Sequence, residues 1–516
     1  MKKILIAALI LTLISVQPVF AATKAPSNGS ICSTSGPKSG KSVKGEMLYC
    51  TKGADGIYAW HPNQPDNGGS QNSQTSQSQL GGKCTKEGTF TYANILLKCV
   101  SGKYQYATSS NVPLAPNGGF KSRPSWYPTL TQILGGPGAA EPTCSPSAIK
   151  FTKPIIPLDQ LAPSIPYGAM IYDHVTPIDH GYIGIKTLYK DPSTLTDADY
   201  LPVTAPADGT ITELSNLGGP NTFRVVINHG CNLYSVYMVL NKPSGVLAPY
   251  YEQAKNSGYM KLNVKIKAGE EFARQRDNAM DFNLLDGSKW LSGFANVGSY
   301  LSQDTWKPYT TDFLPYFPSD IRTALENVMQ KTSAPRVGKI DHDVMGAASG
   351  NWFLDGTNGY GGNFNSAYLN AKSTVPGGVV PGKSVYSWSH LAIAPHEVDN
   401  SKWIFSTGWW RDNSGDPKQA VMVISGNKPT PDKLTAASGI VSYQLLSPAF
   451  QQADGSALPV IGPRGIGYKV LTTGAVIGVV SLQVNSDASL SVEIDPNATD
   501  PSTNASFTSA KRIYRR

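Results

Sequence analysis

The sequence predicts a mainly β protein whose body contains two β-rich domains with one short helix between them. Its 516 residues include 50 glycines and 38 prolines, and only 16% of them are charged. This composition favours turns and strands over helical bundles. Short apolar runs split by turn residues recur from about residue 150 to the end. In the C-terminal part, evenly spaced strands without helices between them predict an antiparallel β barrel or β sandwich.

The first residues predict a secretory signal peptide, residues 1–22. Lys2 and Lys3 precede the apolar run 4–14, and the small residues of "FAATKA" suit signal peptidase. No later segment has roughly 18 uninterrupted apolar residues, so we expect no transmembrane span after cleavage. The protein is therefore expected to be secreted or held in the cell envelope.

Two short cysteine units follow, and they are copies of one pattern. The first reads "GSICSTSGPKSGKSVKGEMLYCTKGADGIYAW" and the second "GGKCTKEGTFTYANILLKCVSGKYQYA". Each runs from Gly-x-x-Cys through Leu-x-Cys to a glycine and two alternating aromatic residues, which share one face of a strand. The predicted repeats are residues 23–60 and 83–106, and the polar segments 61–82 and 107–141 are predicted linkers.

Six cysteines in an exported chain favour oxidised pairing. Six cysteines allow fifteen pairings, but their order and the repeat favour three. These are Cys32–Cys50, Cys84–Cys99 and Cys144–Cys231. The units resemble small cysteine repeats of exported actinobacterial proteins, which often lie beside wall or surface domains. That resemblance covers about sixty residues and implies no chemistry.

Within the body, "LPVTAPADGTITEL" has apolar residues at alternate positions on either side of an Asp-Gly turn. The segment "FRVVINHGCNLYSVYMVL" predicts a hairpin. Further strands are predicted in "KLNVKIKAGEEFA" and "NAMDFNLLD". A helix is predicted over 319–331, with Ser319 and Asp320 at its start and Ile321, Leu325, Val328 and Met329 as its buried stripe. After Arg336 the pattern is again that of strands, from "GNWFLDGT" and "SHLAIAPHEV" to "VIGVVSLQV" and "LSVEI".

The order "HGYIG … VTAPADGTITEL … RVVINHG … YSVYMVL … IKAGEEFA … MDFNLLD" resembles the core of the lysostaphin-like zinc endopeptidases, which cleave peptide cross-links in bacterial cell walls. The resemblance implies a duplicated-hybrid-motif-like β domain in residues 142–335. In that family, zinc is held by a first histidine, by an aspartate four residues later, and by the last histidine of a His-x-His-Phe strand.

The positions that should carry this chemistry depart from the family pattern. His180 matches the first ligand, but Gly184 stands where the aspartate belongs. Val239 replaces the histidine of a Tyr-x-His-Leu strand, and Ala279 and Asp281 replace both histidines of His-x-His-Phe. Catalytic zinc needs three protein ligands and an open position. The resemblance therefore implies a scaffold that has lost the family's chemistry.

Four residues around "GAMIYDHVTPIDHGYIGI" remain candidates for a binding cleft: His174, Asp179, His180 and Asp281. Three interpretations stay open. His180 and Asp281 form a hydrogen-bonded pair inside a β core, or they line a cleft that binds glycan or peptide. Alternatively, Asp179, His180 and Asp281 hold a divalent ion such as zinc, because two carboxylates and an imidazole can do so.

The C-terminal β domain, residues 336–516, offers weaker signals. "DHDVMG" has the spacing of a calcium loop, but simple turn chemistry explains it as well. "GNWFLDG" resembles the Gly-x-Trp strand of lipocalin-like barrels, whose mouths bind small apolar ligands. Trp403, Trp409 and Trp410 are either sugar-stacking or core aromatics. The motifs "HVTPIDH", "TWKPYTTDFLPYF" and "GKIDHDVMGAASGNWFLDGTNGYGG" resemble uncharacterised exported bacterial proteins that share this two-domain order.

The sequence has no Gly-x-Ser-x-Gly elbow, phosphate-cradling loop or His-Glu-x-x-His helix, and no basic clusters typical of nucleic-acid binding. It predicts a monomeric, non-catalytic pseudo-peptidase that binds peptidoglycan or another cell-surface polymer, without a cofactor or nucleic acid. Two alternatives remain: a metal-dependent wall hydrolase with altered ligands, and a carrier of a small apolar ligand through the C-terminal domain.

Overall fold

The computed structural model describes the chain in separate stretches together with six strands of the cysteine repeats. The stretches are residues 119–135, 140–171, 173–218, 221–301, 303–355, 357, 359–361, 385–410, 417–451, 457–458, 470–503 and 506–516. The chain divides into two compact units, residues 1–73 and 74–516. The predicted mainly β class is confirmed, since 36% of the residues are in strands and 19% in helices.

The first unit contains a three-stranded antiparallel meander built by the first cysteine repeat. Its strands are β1 (Ser39–Lys41), β2 (Met47–Lys52) and β3 (Tyr58–His61). Cys50 on β2 lies directly opposite Trp60 on β3. The second of the two predicted aromatics is therefore the cross-strand neighbour of the second cysteine.

The second cysteine repeat, within the second unit, forms the same meander. Its strands are β4 (Thr89–Tyr92), β5 (Ile95–Val100) and β6 (Lys103–Tyr106), and Cys99 lies opposite Tyr104. The two copies thus share one strand order, as the sequence duplication predicts. Cys32 and Cys84, with their predicted disulfides, and the predicted signal peptide lie outside the described residues.

A seven-stranded antiparallel sheet forms the core of the first body domain, in the order β14-β10-β11-β12-β16-β8-β7. A small sheet, β13-β15-β9, accompanies it. The strands are β7 (Leu161–Ile165), β8 (Gly181–Ile185), β9 (Leu201–Thr204), β10 (Gly209–Asn216), β11 (Phe223–Asn228), β12 (Leu233–Leu240), β13 (Lys242–Pro243), β14 (Tyr259–Ile266), β15 (Glu271–Gln275) and β16 (Met280–Asp286). The helices are α1 (Leu130–Leu134), α2 (Tyr251–Ser257) and α3 (Ser319–Val328).

Strand β16 is buried along its whole length and sets the two faces of the domain. Met280, Phe282 and Leu284 point into the main hydrophobic core. Because successive side chains alternate across a strand, Asp281 and Asn283 point to the opposite face. The two-residue repeat of an ordinary strand is therefore enough to place both polar side chains on the same face of the sheet.

The predicted helix is present as α3, with its start at Ser319 as expected and its end at Val328 rather than at residue 331. Pro318, not Ser319, is the N-cap, and no side chain caps the helix. Met329 adopts an extended backbone and pairs with Ser164 in an isolated parallel bridge, which ends the helix early. Ile321 and Leu325 form the buried stripe.

Cys144 and Cys231 form a disulfide in this structure, with the two Cα atoms 4.9 Å apart. It ties the segment before the first body strand to the turn between β11 and β12. The bond spans 87 residues of sequence, a loop for which chain entropy predicts about 4 kcal/mol of stabilisation.

The C-terminal region is a closed eight-stranded antiparallel barrel, and the predicted barrel alternative is therefore confirmed. Its strands pair in sequence order, and β25 returns to pair with β17 while β20 pairs with β21. The elements are β17 (Gly350–Leu354), α4 (Val385–Trp388), β18 (His390–Pro395), β19 (Trp403–Thr407), β20 (Lys418–Val423), β21 (Val441–Gln451), β22 (Ala457–Leu458), β23 (Val470–Val484), β24 (Leu490–Asp495) and β25 (Arg512–Arg515). The short β22 pairs only with β21, outside the closed ring.

One end of the barrel is closed by Arg516. Its guanidinium lies 3.8 Å from the centroid of the Trp352 ring and donates to the backbone carbonyls of Ser349, Val344 and Ala347. The buried Asp343 carboxylate lies 4.0 Å away and balances its charge. The buried guanidinium is thus stabilised in three ways: by a carboxylate that balances its charge, by carbonyl oxygens that accept from its N–H groups, and by an aromatic ring against its face.

The outer face of the barrel packs on the first body domain. Ala392, Ala394, Ile404 and Val421 form one buried cluster with Tyr182, Ala279 and the segment that precedes β8. These side chains alternate with those that fill the barrel, as expected for strands buried on both faces. Among the residues described here, no helix has both the length and the apolarity needed to cross a bilayer.

We expect Arg516→Ala to lower the free energy of unfolding by about 3 kcal/mol, because it leaves the buried Asp343 carboxylate without its counter-charge. Urea titration of the full chain, followed by tryptophan fluorescence, measures this. Lys511→Ala is the matched control, since Lys511 is exposed in the same terminal segment and its loss should change stability by about 0.5 kcal/mol or less. Equal stability of the two variants would contradict the closing role of Arg516.

Candidate functional site

His180 lies immediately before β8, with its imidazole held between two carboxylates. Its Nδ1 is 3.3 Å from Asp179 Oδ1, and its Nε2 is 3.4 Å from Asp281 Oδ2. Asp281 reaches the ring because β16 pairs with β8, with Asp281 opposite Tyr182. All three residues are buried, at 4–5% exposure.

His174 joins this cluster, so the structure brings all four predicted residues together. Its ring centroid lies 5.4 Å from that of His180, in an edge-on arrangement. Burial, with the neighbouring His180 and Lys307 charges, lowers the pKa of His174 to about 3. His174 is therefore neutral at physiological pH and acts as an apolar neighbour.

Lys307 is the member of the cluster that the sequence reasoning missed. Its side chain is only 2% exposed, and its Nζ lies 3.6 Å from Asp179 Oδ1 and 3.7 Å from Asp304 Oδ2. The ring of Tyr360 lies 4.8 Å from the ammonium. The available signal was a lone lysine between aromatic residues in "TWKPY", which also fits an exposed loop.

Asp179 is the centre of the hydrogen-bond network. Trp306 Nε1 donates to its Oδ2 at 2.8 Å, and Asn283 Nδ2 donates to the same oxygen at 3.1 Å. Burial opposes ionisation of Asp179, but Lys307 and His180 outweigh it and hold its pKa below the ordinary value. Asp179 is therefore a permanent anion.

The opposite carboxylate behaves differently. Burial raises the pKa of Asp281 to about 6, and the attraction of His180 only partly opposes this. Burial disfavours a charged His180, yet Asp281 and Asp179 together raise its pKa above the usual range. Three buried atoms here have no hydrogen-bond partner: His180 Nε2, Asp281 Oδ1 and Asn283 Oδ1.

The arrangement does not fit a catalytic zinc ion. Both ring nitrogens of His180 face carboxylates, and the ammonium of Lys307 supplies a positive charge where a cation would bind. A Cβ at Gly184 would overlap the carbonyl oxygen of Pro163, so an aspartate has no room at the position of the second ligand. Across the described stretches of the chain, no set of three or more His, Cys, Asp or Glu side chains is arranged to hold a metal.

The barrel encloses the site from one side. Ala279, which stands where the resemblance predicts a histidine, is 1% exposed and belongs to the interface cluster with the barrel. Tyr182, whose ring is 5.5 Å from that of His180, belongs to the same cluster. A polymer chain therefore has no direct approach to His180 in this arrangement.

The remaining sequence candidates lie apart. Trp409 and Trp410 are buried in the barrel core, whereas Trp403, at the start of β19, is only half-buried. The carboxylates of "DHDVMG" accept backbone donors: Asp341 from Gly293 at 2.7 Å and Asp343 from Ala295 at 2.9 Å. They tie two segments together across the fold, a role that differs from the local turn chemistry predicted for that motif.

Comparison with known proteins adds no assignment. No protein-family model matches the sequence, and no curated protein matches it.

We expect Asp281→Asn to remove a pH dependence of stability. A carboxyl whose pKa is raised on folding stabilises the protein below its unfolded pKa, and that stability is lost as pH rises through the folded value of about 6. Between pH 4 and pH 7, the wild type should therefore lose about 2 kcal/mol of unfolding free energy relative to Asp281→Asn.

Urea titrations of both proteins at pH 4, 5, 6 and 7 measure this difference. Asp159→Asn is the control, because it removes an exposed carboxyl that lies outside the His180 cluster. A constant difference between wild type and Asp281→Asn across this range would contradict the raised pKa.

Proposed function

We propose that this protein is an exported, non-catalytic envelope protein that binds peptidoglycan or another surface polymer. Its first body domain is a lysostaphin-like scaffold whose metal centre has been replaced by a buried network of charges. The observation that carries the proposal is the enclosure of His180, the one retained ligand position, between Asp179 and Asp281, with a carboxylate facing each ring nitrogen.

Three properties of the network support a structural role. Catalytic zinc requires an open coordination position that water can reach, whereas these side chains are buried beside the barrel interface. Lys307 neutralises Asp179, one of the two carboxylates that a metal would otherwise use. Gly184 is confined by the backbone of Pro163, so the missing ligand cannot be supplied by a small local shift.

Export is supported by two independent features. The N-terminal segment has the pattern of a signal peptide, and Cys144 and Cys231 form a disulfide. Disulfides persist in oxidising compartments and are rare in the cytosol. The duplicated cysteine meanders fit adhesive or spacer modules of an envelope protein.

The test is co-sedimentation of the full mature chain with purified cell-wall sacculi, at several salt concentrations. We expect most of the protein in the pellet and no release of soluble wall fragments, with an active wall endopeptidase as positive control. A protein that stays wholly in the supernatant would refute polymer binding.

Metal analysis separates this proposal from the altered-ligand hydrolase. We expect far less than one equivalent of zinc in the wild type after dialysis against zinc, and the same in His180→Ala. Near one equivalent in the wild type that is lost in His180→Ala, together with wall digestion, would support the hydrolase instead.

The carrier of a small apolar ligand is a second candidate, favoured by one observation. The C-terminal barrel is closed, its strands follow sequence order, and its first strand carries Gly350-x-Trp352. Much of the interior is filled by large side chains, among them Trp352, Phe405 and Tyr443. A lipid retained through purification and released on denaturation, detected by mass spectrometry, would support this role.

A further inference from the structure

A groove outside the His180 cluster follows two neighbouring segments, residues 289–293 and 335–344. It consists of two clefts of about 350 and 420 Å³ that meet at Lys339 and Asp341. Each volume lies within the range of small-molecule binding sites. The backbone of Asp343 donates to Gly293 at 3.0 Å, which holds the two segments together.

The two halves of the groove differ in chemistry. The first is mostly apolar and is lined by Trp290, Leu291, Val337 and Ile340. The second is more polar and reaches the barrel, where Trp403 and Asp432 line it. An indole thus stands in each half, with polar side chains between them.

Three residues of the groove carry buried polar atoms that have no hydrogen-bond partner. These atoms are Trp290 Nε1, Thr310 Oγ1 and Asp432 Oδ1. Thr310 is only 3% exposed, so its hydroxyl has given up water without a protein partner in exchange. Buried polar groups are nearly always paired, and each exception calls for a specific explanation.

The charge of the groove excludes one class of polymer. Lys339 is neutralised by Asp341, whose Oδ1 lies 2.9 Å from its Nζ. Burial, followed by the neighbouring Lys339, lowers the pKa of His342 to about 4, so this imidazole is neutral at physiological pH. The lining also holds Lys289, but Asp312 and Asp432 outnumber it, so the groove does not attract a phosphodiester or other polyanion.

We propose that this groove binds an uncharged glycan chain. Sugar rings present apolar C–H faces that pack on indoles, and hydroxyls that pair with carboxylate, amide and hydroxyl groups; the groove supplies both along its length. The choice of a glycan rests on the proposed function, which places the protein at the cell wall. The location of the groove does not rest on the proposed function, and its lining contains no member of the His180 cluster.

The experiment titrates the full mature chain with a soluble N-acetylglucosamine tetramer and follows binding by calorimetry. We expect Trp403→Ala to weaken binding at least tenfold, since aromatic anchors dominate such contacts. Trp403→Phe keeps a ring and should recover part of the loss. Thr310→Val should weaken binding about fivefold while leaving the melting temperature unchanged or higher, because it removes an unpaired buried hydroxyl.

Tyr259→Ala is the matched control, because Tyr259 is an exposed aromatic at 52% exposure outside the groove. It should bind like the wild type. The inference is overturned if the wild type does not bind the tetramer, or if Trp403→Ala and Thr310→Val bind it as tightly as Tyr259→Ala does. A free wall stem peptide can be titrated in the same way. If it displaces the tetramer from the wild type, and if Trp403→Ala and Thr310→Val no longer bind it, the groove binds a peptide and the glycan assignment is overturned.

Co-sedimentation with sacculi distinguishes this failure from failure of the proposed function. Wild type and Trp403→Ala that both pellet fully would leave wall binding intact and place it outside the groove. Loss of pelleting in the wild type would remove the proposed function itself.

Discussion

The antiparallel pairing of β25 with β17 is the constraint on which the second half of the molecule depends. Every other barrel strand pairs with neighbours in sequence, so this contact alone joins the last strand to the first. Arg516 follows at once and spans Trp352 and Asp343, which fixes the closed end. A closed barrel has no free edge and a defined outer face. That face, with Ala392 and Ile404, packs on the site-bearing domain and shuts off the side of the sheet where Ala279 lies.

Burial of this face in turn determines which of the carboxylates around His180 are ionised. Buried ions are tolerated only when partners replace the lost hydration. Here, Lys307 balances Asp179, and the donors Trp306 and Asn283 fill the remaining capacity of that carboxylate. Asp281 has fewer partners and adjusts through its raised pKa instead. The cluster thus assigns a fixed charge to one carboxylate and a variable charge to the other, by environment alone.

Strand periodicity made much of this fold predictable. The β11–β12 hairpin, most barrel strands and α3 follow from alternation or helical spacing in the sequence. Only the family resemblance pointed to strand β8, because it is buried on both faces and has no alternation of apolar and polar residues to detect. No strand was predicted at β25, because four of the six residues of "KRIYRR" are basic. In the barrel, Arg512 and Tyr514 are buried and a tryptophan ring covers the arginine. The clustering of His174, Asp179, His180 and Asp281 was anticipated, but Lys307 was not, since nothing local marks a lysine as buried.

The presence of a histidine between carboxylates is weak evidence for catalysis in a buried site of this kind. Replacing a whole buried ionic cluster by apolar residues costs little, whereas deleting one member leaves an uncompensated charge and costs several kcal/mol. Single substitutions at Asp179, His180 or Lys307 are therefore penalised even when no reaction is catalysed. A buried polar group without a partner stabilises nothing in the fold, so its presence at a cleft points to a ligand. Thr310 in the groove is neither paired nor needed for charge balance, so its hydroxyl is a cost that packing alone does not explain. Recognition is better sought where such a group borders an open cleft than in the His180 cluster, whose unpaired atoms lie in a core that the barrel covers.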